Sequence, residues 1–226
     1  MKYKTVLFDL DGTLIDTNEL IITSFLYTLR TFFPERTFSR RDVIPHLGKP
    51  LRDMFAHFQT DDAENTVEDM VDVYRGHNMR THDEMVQAFP YVSEVIPALY
   101  DQGVHMGIVT TKQRTTAEMG LRLCELERYM RAVITLEDVR HPKPHPEPIF
   151  KAMSELGAEA TSTLMVGDNQ CDIEAAAQAG IDSAGVSWAL KGEAHLRSAQ
   201  PTYMLKDMRD LYANVGIHPG RRWMEA

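Results

Sequence analysis

Val6-Leu7-Phe8-Asp9-Leu10-Asp11-Gly12-Thr13-Leu14 is the stretch that decides the fold of this 226-residue chain. The residues up to Phe8 are β-branched, aliphatic and aromatic, which predicts a short buried strand. Asp9 and Asp11 follow at its carboxyl end, and Gly12 allows a sharp turn that brings backbone N–H groups close to an anion. Buried carboxylates must be paired or bind a metal, so the stretch predicts a carboxylate site with a metal and an anionic ligand. An ordinary strand exit with solvated aspartates is the alternative.

Helical periodicity follows this strand. From about residue 16 to 85, apolar residues recur at three- and four-residue spacing, which predicts helices and no strand. Asp16-Thr17-Asn18-Glu19 resembles a capping box at the start of the first helix, and Pro34 ends that helix. The block is therefore not expected to contribute a strand to a sheet.

After Pro90, strands and helices alternate. The hydrophobic pattern predicts strands near 104–109, 132–135, 163–166 and 182–186, and helices near 93–100, 113–124, 149–156, 173–179 and 206–213. This alternation predicts an α/β fold, in which helices cover both faces of a parallel sheet. The first strand belongs to that sheet. The core is therefore predicted to cover residues 1–15 and 86–226, with the helical block 16–85 as an insertion.

The composition narrows the class of protein. A hydrophobic fraction of 43% is enough for a folded core, and a net charge of −9 argues against a nucleic-acid partner, which needs a basic face. No apolar run has membrane-spanning length, and Met1–Lys4 shows no signal-peptide pattern, so a cytoplasmic protein without a membrane contact is predicted. Cys124 and Cys171 are too few for a disulfide framework and are expected as thiols. The sequence is compatible with a monomer and does not set the oligomeric state.

Polar side chains follow several of the predicted strands. Asp9 and Asp11 follow the first strand, Thr110 follows the strand that ends at residue 109, and Asp168 follows the strand near 163–166. Because the carboxyl ends of parallel strands open into one crevice, these residues are expected to meet. Lys143, on the proline-rich loop 141–148, is expected to join them.

This set of residues fits phosphoryl transfer. A carboxylate can attack phosphorus, a second group must protonate the leaving oxygen and then activate water, and the phosphoryl oxygens need cations and donors. Asp9 is therefore the expected nucleophile and Asp11 the expected general acid and base. Thr110 and Lys143 are expected to hold the phosphoryl oxygens. Asp9, Asp168 and the backbone carbonyl of Asp11 are the expected metal ligands, and these oxygen ligands favour Mg²⁺.

Several neighbouring residues have two interpretations. Asp172 either supports the metal through a bound water or caps the helix that follows it. Asn169 either orients the metal site or only forms the turn. Gly12 and Thr111 are expected to bind phosphate, and Lys112 is also within reach of it, although a helix start is enough to explain Thr111 and Lys112.

His141 and His145 flank Lys143 on the proline-rich loop. No acidic or cysteine partner is expected to complete a metal set with them. A ligand role for these two histidines is therefore not expected.

Four segments, in this order along the chain, resemble the four motifs of the haloacid dehalogenase superfamily. They are Asp9 to Thr13, Thr110 at its strand end, Lys143 before Pro144, and Gly167-Asp168 with Asp172. The aspartate at position 11 resembles the phosphatases of the superfamily rather than its dehalogenases, and the helical block at 16–85 resembles its C1-type cap. The resemblance implies a Rossmann-like core, Mg²⁺ and the residue roles given above.

A closer resemblance covers most of the chain. Leu7–Ile22, Gly107–Lys112, Lys143–Pro148, Leu164–Ile173 and Gly185–Gly192 are similar to the PpaX-type pyrophosphatases. This similarity implies hydrolysis of inorganic pyrophosphate, including the pyrophosphate that forms when the serine-phosphorylated phosphocarrier protein HPr is dephosphorylated. A cap that selects pyrophosphate should present cations. Lys49, at a helix break in the cap, is the expected substrate ligand, and a solvated surface lysine is the alternative.

Two other functions would use the same residues. The first is a phosphatase for phosphoglycolate or another small phosphomonoester, which the core motifs do not distinguish from a pyrophosphatase. The second is a phosphoacceptor signalling domain, which also gathers acids, a threonine and a lysine at strand ends. The helical insertion, and an acid/base group two residues from the nucleophile, favour turnover over a lasting phosphorylation.

Overall fold

The computed structural model of the chain describes residues 1–59 and 66–217. Its strands are β1 (Thr5–Phe8), β2 (Ile15–Asp16), β3 (Gln87–Ala88), β4 (His105–Val109), β5 (Ala132–Ile134), β6 (Thr163–Gly167), β7 (Asp182–Val186) and β8 (Tyr203–Leu205). Its α-helices are α1 (Asn18–Phe32), α2 (Arg40–Val43), α3 (Leu51–Ala56), α4 (Val67–Met85), α5 (Val92–Asp101), α6 (Arg114–Leu123), α7 (Glu147–Leu156), α8 (Gln170–Ala179), α9 (Glu193–Arg197) and α10 (Asp210–Val215). Residues 60–65 of the predicted insertion and 218–226 of the predicted core lie outside the described residues.

A six-stranded parallel sheet, in the order β5-β4-β1-β6-β7-β8, forms the core. β1 is central, and its Leu7 lies opposite Gly107 of β4 and Met165 of β6. From β1 the strand order runs outward through β4 and β5 on one side and through β6, β7 and β8 on the other. Such a reversal creates a crevice at the carboxyl ends of the central strands. The predicted α/β class with a Rossmann-like parallel core is confirmed.

Both faces of this sheet are buried. On one face, α7 and α8 pack on the strands around a cluster of apolar side chains that includes Leu7, Val109, Ile134, Ile149, Ala152, Met165, Ala175 and Ala176. The alternate side chains, which point to the other face, such as Val6, Phe8 and Ile108, also have no exposed surface. Burial on both faces explains why the strand sequences are continuous apolar runs rather than alternating patterns.

The described residues of Thr17–Val86 form a compact unit of their own, made of helices. α1 and α3 both pack against α4. Phe25 of α1 stacks on Phe55 of α3 with ring centroids 4.2 Å apart, and both side chains are fully buried. The other unit consists of Met1–Asp16 and the described residues from Gln87 onward. Within the described chain, no helix has both the length and the apolar character that a membrane span requires.

Short elements differ from the sequence-based expectations. Thr17, not Asp16, is the N-cap residue of α1, and its side chain makes no capping hydrogen bond. The predicted capping box is wrong because Ile15–Asp16 pairs as a strand with Gln87–Ala88. The sequence pattern does not predict α9 and β8 either. The two residues of β2 are too few to show an alternation, and the five residues of α9 make less than two helical turns.

Candidate active site

Three neighbouring strands bring polar residues to one edge of the sheet. β4, β1 and β6 lie side by side, and Thr110, Asp9 and Asp168 are the residues that directly follow them. The Asp9 N–H donates to the Val166 carbonyl at 2.9 Å, and the Thr110 N–H donates to the Ile134 carbonyl at 2.9 Å. Because sheet hydrogen bonds hold these positions, the backbone of the site is as rigid as the sheet itself.

The ammonium group of Lys143 is buried among three acceptors. Its Nζ donates to Asp9 Oδ1 at 2.7 Å, to the Val109 carbonyl at 2.7 Å and to Asp172 Oδ1 at 2.6 Å. An ammonium has three protons, so each has an acceptor. Burial lowers the pKa of Lys143, but the carboxylates of Asp172 and Asp9 outweigh burial and raise it above its ordinary value. Lys143 therefore stays a cation.

The carboxylates at this edge crowd one another. Burial raises the pKa of Asp9 to about 7; Lys143 opposes this rise, and the charges of Asp172 and Asp11 add to it. Burial, with the charges of Asp9 and Asp172, also raises the pKa of Asp168 well above its ordinary value. One oxygen from each of Asp9, Asp168 and Asp172 lies within 4.8 Å of the others. Such an all-oxygen donor set suits a hard divalent cation, which would stabilise the ionised carboxylates.

Asp11 is held by a lysine whose importance the sequence does not reveal. Lys112 Nζ donates to both carboxylate oxygens of Asp11, at 2.9 and 3.0 Å. The two side chains are only 9% and 20% exposed, so this ion pair is partly shielded from water. The backbone N–H of Lys112 also donates to Thr110 Oγ1 at 3.2 Å. The one available sequence signal is that Lys112 comes three residues after the predicted strand end at residue 109.

Asp172 links Lys143 to the start of a helix. Its Oδ1 accepts from Lys143, and its Oδ2 accepts from the Asn169 N–H at 2.9 Å. Asn169 and Asp172 together form the capping box of α8. The structure therefore shows Asp172 in its helix-cap interpretation, while Asn169 is the N-cap residue of the same helix, a position that the sequence does not predict for it. Gly167 leaves the room that this arrangement needs, because a Cβ there would overlap the Asp172 carboxylate.

Gly12 brings the loop after β1 against Asp168. Its φ is +81°, and a Cβ at this position would lie 2.5 Å from Asp168 Oδ2. Its N–H donates to the Ile15 carbonyl at 2.9 Å. Gly12 therefore lets the loop approach Asp168 closely, and its own N–H forms a hydrogen bond within the turn. Thr111 is partly exposed beside Thr110.

Lys49 lies in the helical unit, in the turn before α3, and is exposed. Its expected contact with the substrate stays a prediction.

The expectation that His141 and His145 have no acidic partner is wrong. Glu147 supplies one, and the ligand atoms of these three residues lie within 4.8 Å of one another. A signal is present in the sequence, since Glu147 comes two residues after His145, where α7 begins.

Known proteins are similar in sequence to this chain. Residues 6–186 match the family model described as haloacid dehalogenase-like hydrolase. The chain is 49% identical over 211 residues to the pyrophosphatase PpaX of Bacillus cereus (strain AH820), covering 93% of this chain and 95% of that protein. It is 47% identical over 217 residues to the pyrophosphatase PpaX of Anoxybacillus flavithermus, covering 96% of this chain and 99% of that protein.

Solved structures share the architecture. A protein described as a haloacid dehalogenase-like hydrolase from Bacteroides fragilis superposes with a TM-score of 0.85 at 26% identity, covering 93% of this chain and 100% of that chain. A haloacid dehalogenase-like family protein from Streptococcus pneumoniae gives a TM-score of 0.82 at 23% identity, covering 94% of this chain and 98% of that chain. At 23% identity, the similarity to the Streptococcus pneumoniae protein supports the fold alone.

Proposed function

The chain belongs to the haloacid dehalogenase-like hydrolase family, and from this premise we propose that it hydrolyses inorganic pyrophosphate to two phosphates. One observation carries the proposal: a buried carboxylate, Asp9, is held by Lys143 at the end of β1, with Asp11 two residues further on. This geometry supports transfer of a phosphoryl group to a carboxylate. The pyrophosphatase relatives, at 49% and 47% identity, support pyrophosphate as its donor.

Asp9 is the proposed nucleophile. Lys143 holds Oδ1, which fixes the rotation of the carboxylate and leaves Oδ2 to attack phosphorus. A bond forms between Asp9 and phosphorus, and the bond from that phosphorus to the bridging oxygen breaks. The products of this step are an aspartyl phosphate and one phosphate, which takes a proton from Asp11.

Asp11 must hold a proton for this step, and the Lys112 ammonium must therefore leave the Asp11 carboxylate. A carboxylate that accepts two hydrogen bonds from an ammonium has no proton to donate. Pyrophosphate brings anionic oxygens on its second phosphoryl group, and we propose that Lys112 moves from Asp11 to these oxygens. The ammonium then stabilises the departing phosphate. Asp11, no longer paired with it, takes up a proton from solvent and donates that proton as the acid.

The second step regenerates the enzyme. After the first phosphate leaves, Asp11 is ionised and accepts a proton from water. The water oxygen bonds to phosphorus, and the bond between phosphorus and Asp9 breaks. Asp11 thus acts first as the acid and then as the base.

Other strand-end groups are proposed to hold the phosphoryl oxygens. Thr110 Oγ1 accepts from the Lys112 N–H, so its own proton remains to donate to an oxygen of the substrate. Thr111 and the turn at Gly12 are proposed to line the same position. Lys143 supplies the buried positive charge beside the reacting phosphorus.

The donor set fits Mg²⁺. Asp9 and Asp168, with the backbone carbonyl of Asp11, would hold the ion, while Asp172 and Asn169 would fix the surrounding loop. Four carboxylates face two ammonium groups here, so the site is net negative when all four are ionised, the state that an anionic substrate would meet without a cation. Bound Mg²⁺ would neutralise that charge and polarise the phosphoryl group.

Lys49 is the proposed contribution of the helical unit to substrate selection. Pyrophosphate has no organic part, so its recognition depends on cations and hydrogen-bond donors. The alternative, an exposed lysine with no role in binding, predicts unchanged kinetics when Lys49 is removed.

The competing functions have less support. Hydrolysis of phosphoglycolate or another small phosphomonoester would use the same core residues, but the curated relatives are pyrophosphatases. A phosphoacceptor signalling domain is not supported, because the chain belongs to a family of hydrolases. A cytoplasmic location, a monomeric state and the clearing of pyrophosphate from HPr dephosphorylation stay predictions.

The test is phosphate release from pyrophosphate and from 2-phosphoglycolate, measured side by side with Mg²⁺ and after its removal by a chelator. We expect release from pyrophosphate to dominate and to disappear on chelation. Faster release from 2-phosphoglycolate would overturn the substrate assignment while keeping the core chemistry. Release that survives chelation would overturn the metal assignment.

A further inference from the structure

We propose that His141, His145 and Glu147 form a second metal site, which binds a divalent transition metal of the zinc class. This His-His-Glu cluster lies on the loop that carries Lys143, and neither the proposed reaction nor its magnesium uses it. One ligand atom from each residue lies within 4.8 Å of the other two. A tetrahedral ion with bonds of about 2.1 Å separates its ligand atoms by about 3.4 Å, so small side-chain rotations would complete the set.

The ligands are already turned toward one another. His141 Nδ1 lies 2.9 Å from Glu147 Oε2, and the two imidazole rings have centroids 4.7 Å apart. His145 Nδ1 accepts the backbone N–H of Glu147 at 3.1 Å, so this nitrogen carries no proton. An unprotonated imidazole nitrogen is the form that binds metals.

Metal binding would cost little in hydrogen bonding. If an ion took the lone pair of His145 Nδ1, the Glu147 N–H would lose its acceptor. That N–H lies in the first turn of α7, where N–H groups have no partner within the helix and can turn to water. The carboxylate of Glu147 would keep its bonds from the Arg140 and His141 N–H groups, at 2.9 and 3.0 Å.

The loop is built to hold this geometry without an ion. Prolines occupy positions 142, 144, 146 and 148, which restricts the backbone on both sides of each ligand. The His145 N–H donates to the Pro142 carbonyl at 3.0 Å, and Gln178 donates to the Pro144 carbonyl at 2.9 Å. A preformed loop loses little conformational entropy when an ion binds.

The donor types separate this cluster from the carboxylate site. Two imidazoles and one carboxylate suit Zn²⁺, Co²⁺ or Ni²⁺, whereas Mg²⁺ prefers oxygen ligands. The side chains of His141 and Glu147 are 63% and 32% exposed, so an ion can enter from solvent and keep a water as its fourth ligand. Excess Mg²⁺ should therefore fill the carboxylate site and leave the His-His-Glu cluster available.

Cobalt binding to the full-length chain without a histidine tag tests the site directly. In excess Mg²⁺, Co²⁺ is added and visible absorption recorded, since four-coordinate Co²⁺ absorbs far more strongly than Co²⁺ bound by six oxygens. We expect one strongly absorbing equivalent. His141→Gln and His145→Gln should each weaken binding by at least about tenfold. Both side chains are exposed, and thermal unfolding is used to verify that each variant is folded.

A second histidine pair supplies the matched control. His46 and His57 in the helical unit have ring centroids 4.0 Å apart, and His57→Gln should leave cobalt affinity unchanged. The proposal is overturned if the parent chain shows no strongly absorbing equivalent in excess Mg²⁺. It is equally overturned if His141→Gln and His145→Gln bind Co²⁺ as tightly as the parent, or if His57→Gln removes the signal.

Discussion

Lys112 is the side chain that we propose to link substrate binding to proton transfer in this site. It bonds both oxygens of Asp11, yet Asp11 must be protonated to release the first phosphate. Only a substrate with a second anionic group can draw the ammonium away. Lys112 therefore gives a physical reason for preferring pyrophosphate over a phosphomonoester whose leaving group is uncharged beyond the bridging oxygen.

Replacing Lys112 by methionine should affect the two substrate classes differently. With pyrophosphate, kcat should fall about 10- to 100-fold, because the departing phosphate loses its cation. With p-nitrophenyl phosphate, kcat should not fall, because this substrate has no second anionic group for the ammonium and the variant leaves Asp11 unpaired. The measurement is steady-state kinetics on both substrates, with Lys4→Met, an exposed lysine, as the control. An equal loss on both substrates would contradict the proposed role.

Gly12→Ala should disable the site by crowding Asp168. An alanine there has a strained φ of +81° and a Cβ only 2.5 Å from Asp168 Oδ2. Gly103→Ala is the matched control, because Gly103 has a φ of +79° but a Cβ added there would meet nothing within 4 Å. Both variants should lose about 1–2 kcal/mol in urea unfolding from φ strain, with a further loss and inactivity only in Gly12→Ala. Equal stability of the two variants would show that the crowding has no cost.

At the residue scale, the sequence predicts a residue's chemistry but not its partner. Asp9, Thr110 and Asp168 can be placed together because each follows a strand of one sheet. The Lys112–Asp11 pair joins positions 101 apart, and nothing in local periodicity reports such a contact. The pairing of Glu147 with His141 is missed because an irregular loop has no periodic sequence pattern from which its contacts can be predicted.

At the scale of elements, the loop 140–147 is positioned by its own last residue. Glu147 begins α7 and accepts hydrogen bonds from the Arg140 and His141 N–H groups, which closes the loop around Lys143. The N–H of Arg140, then the side chain of His141, holds the pKa of Glu147 below its ordinary value. A group with a depressed folded-state pKa stabilises the fold above its unfolded-state pKa and loses that effect as pH falls.

Glu147→Gln should therefore be less stable than the parent chain at neutral pH, and the difference should disappear on acidification. The check is thermal unfolding of both proteins from pH 7 to about pH 3, a range that spans the ordinary pKa of glutamate. Glu155→Gln, exposed on the same helix, is the control and should change stability by less than about 0.5 kcal/mol. A difference between Glu147→Gln and the parent that persists at acid pH would contradict the charged role of Glu147.

Elements are predictable in proportion to their length. The longer helices α1, α4, α7 and α8 have enough turns to show a period, and the central strands are recognisable as continuous apolar runs. β2 and β3 have two residues each, and their pairing depends on a contact between distant parts of the chain. The sequence places the start of α7 two residues late because Pro146 and Pro148 suggest a loop, although proline is compatible with a first helical turn.

At the scale of the whole molecule, two compact units share one chain, and we propose that the helical unit contributes Lys49 to substrate selection. Lys49→Ala in the helical unit should raise KM for pyrophosphate about 5- to 20-fold with little change in kcat, because it removes binding without removing chemistry. Arg30→Ala, an exposed cation on α1, is the control. Unchanged KM in Lys49→Ala would return Lys49 to the solvated surface.

The parallel order of the sheet is predictable because strands alternate with helices after Pro90, and this alternation admits few topologies. The strand order and the reversal at β1 are not predictable, since no local sequence pattern indicates which strands are neighbours. The position of the carboxylate crevice follows from the parallel order alone, which is why the main site residues are within reach of the sequence.

Trapping the phosphorylated enzyme during turnover of pyrophosphate tests the proposed reaction most directly. The chain is mixed with pyrophosphate and Mg²⁺, quenched in acid, reduced with borohydride to mark any acyl phosphate, and analysed by peptide mass spectrometry. We predict that the mark falls on Asp9. In Asp9→Asn, whose fold is verified by thermal unfolding, we predict no mark and a loss of at least about 10³-fold in phosphate release. A mark on another residue, or phosphate release by Asp9→Asn at the parent rate, would contradict it.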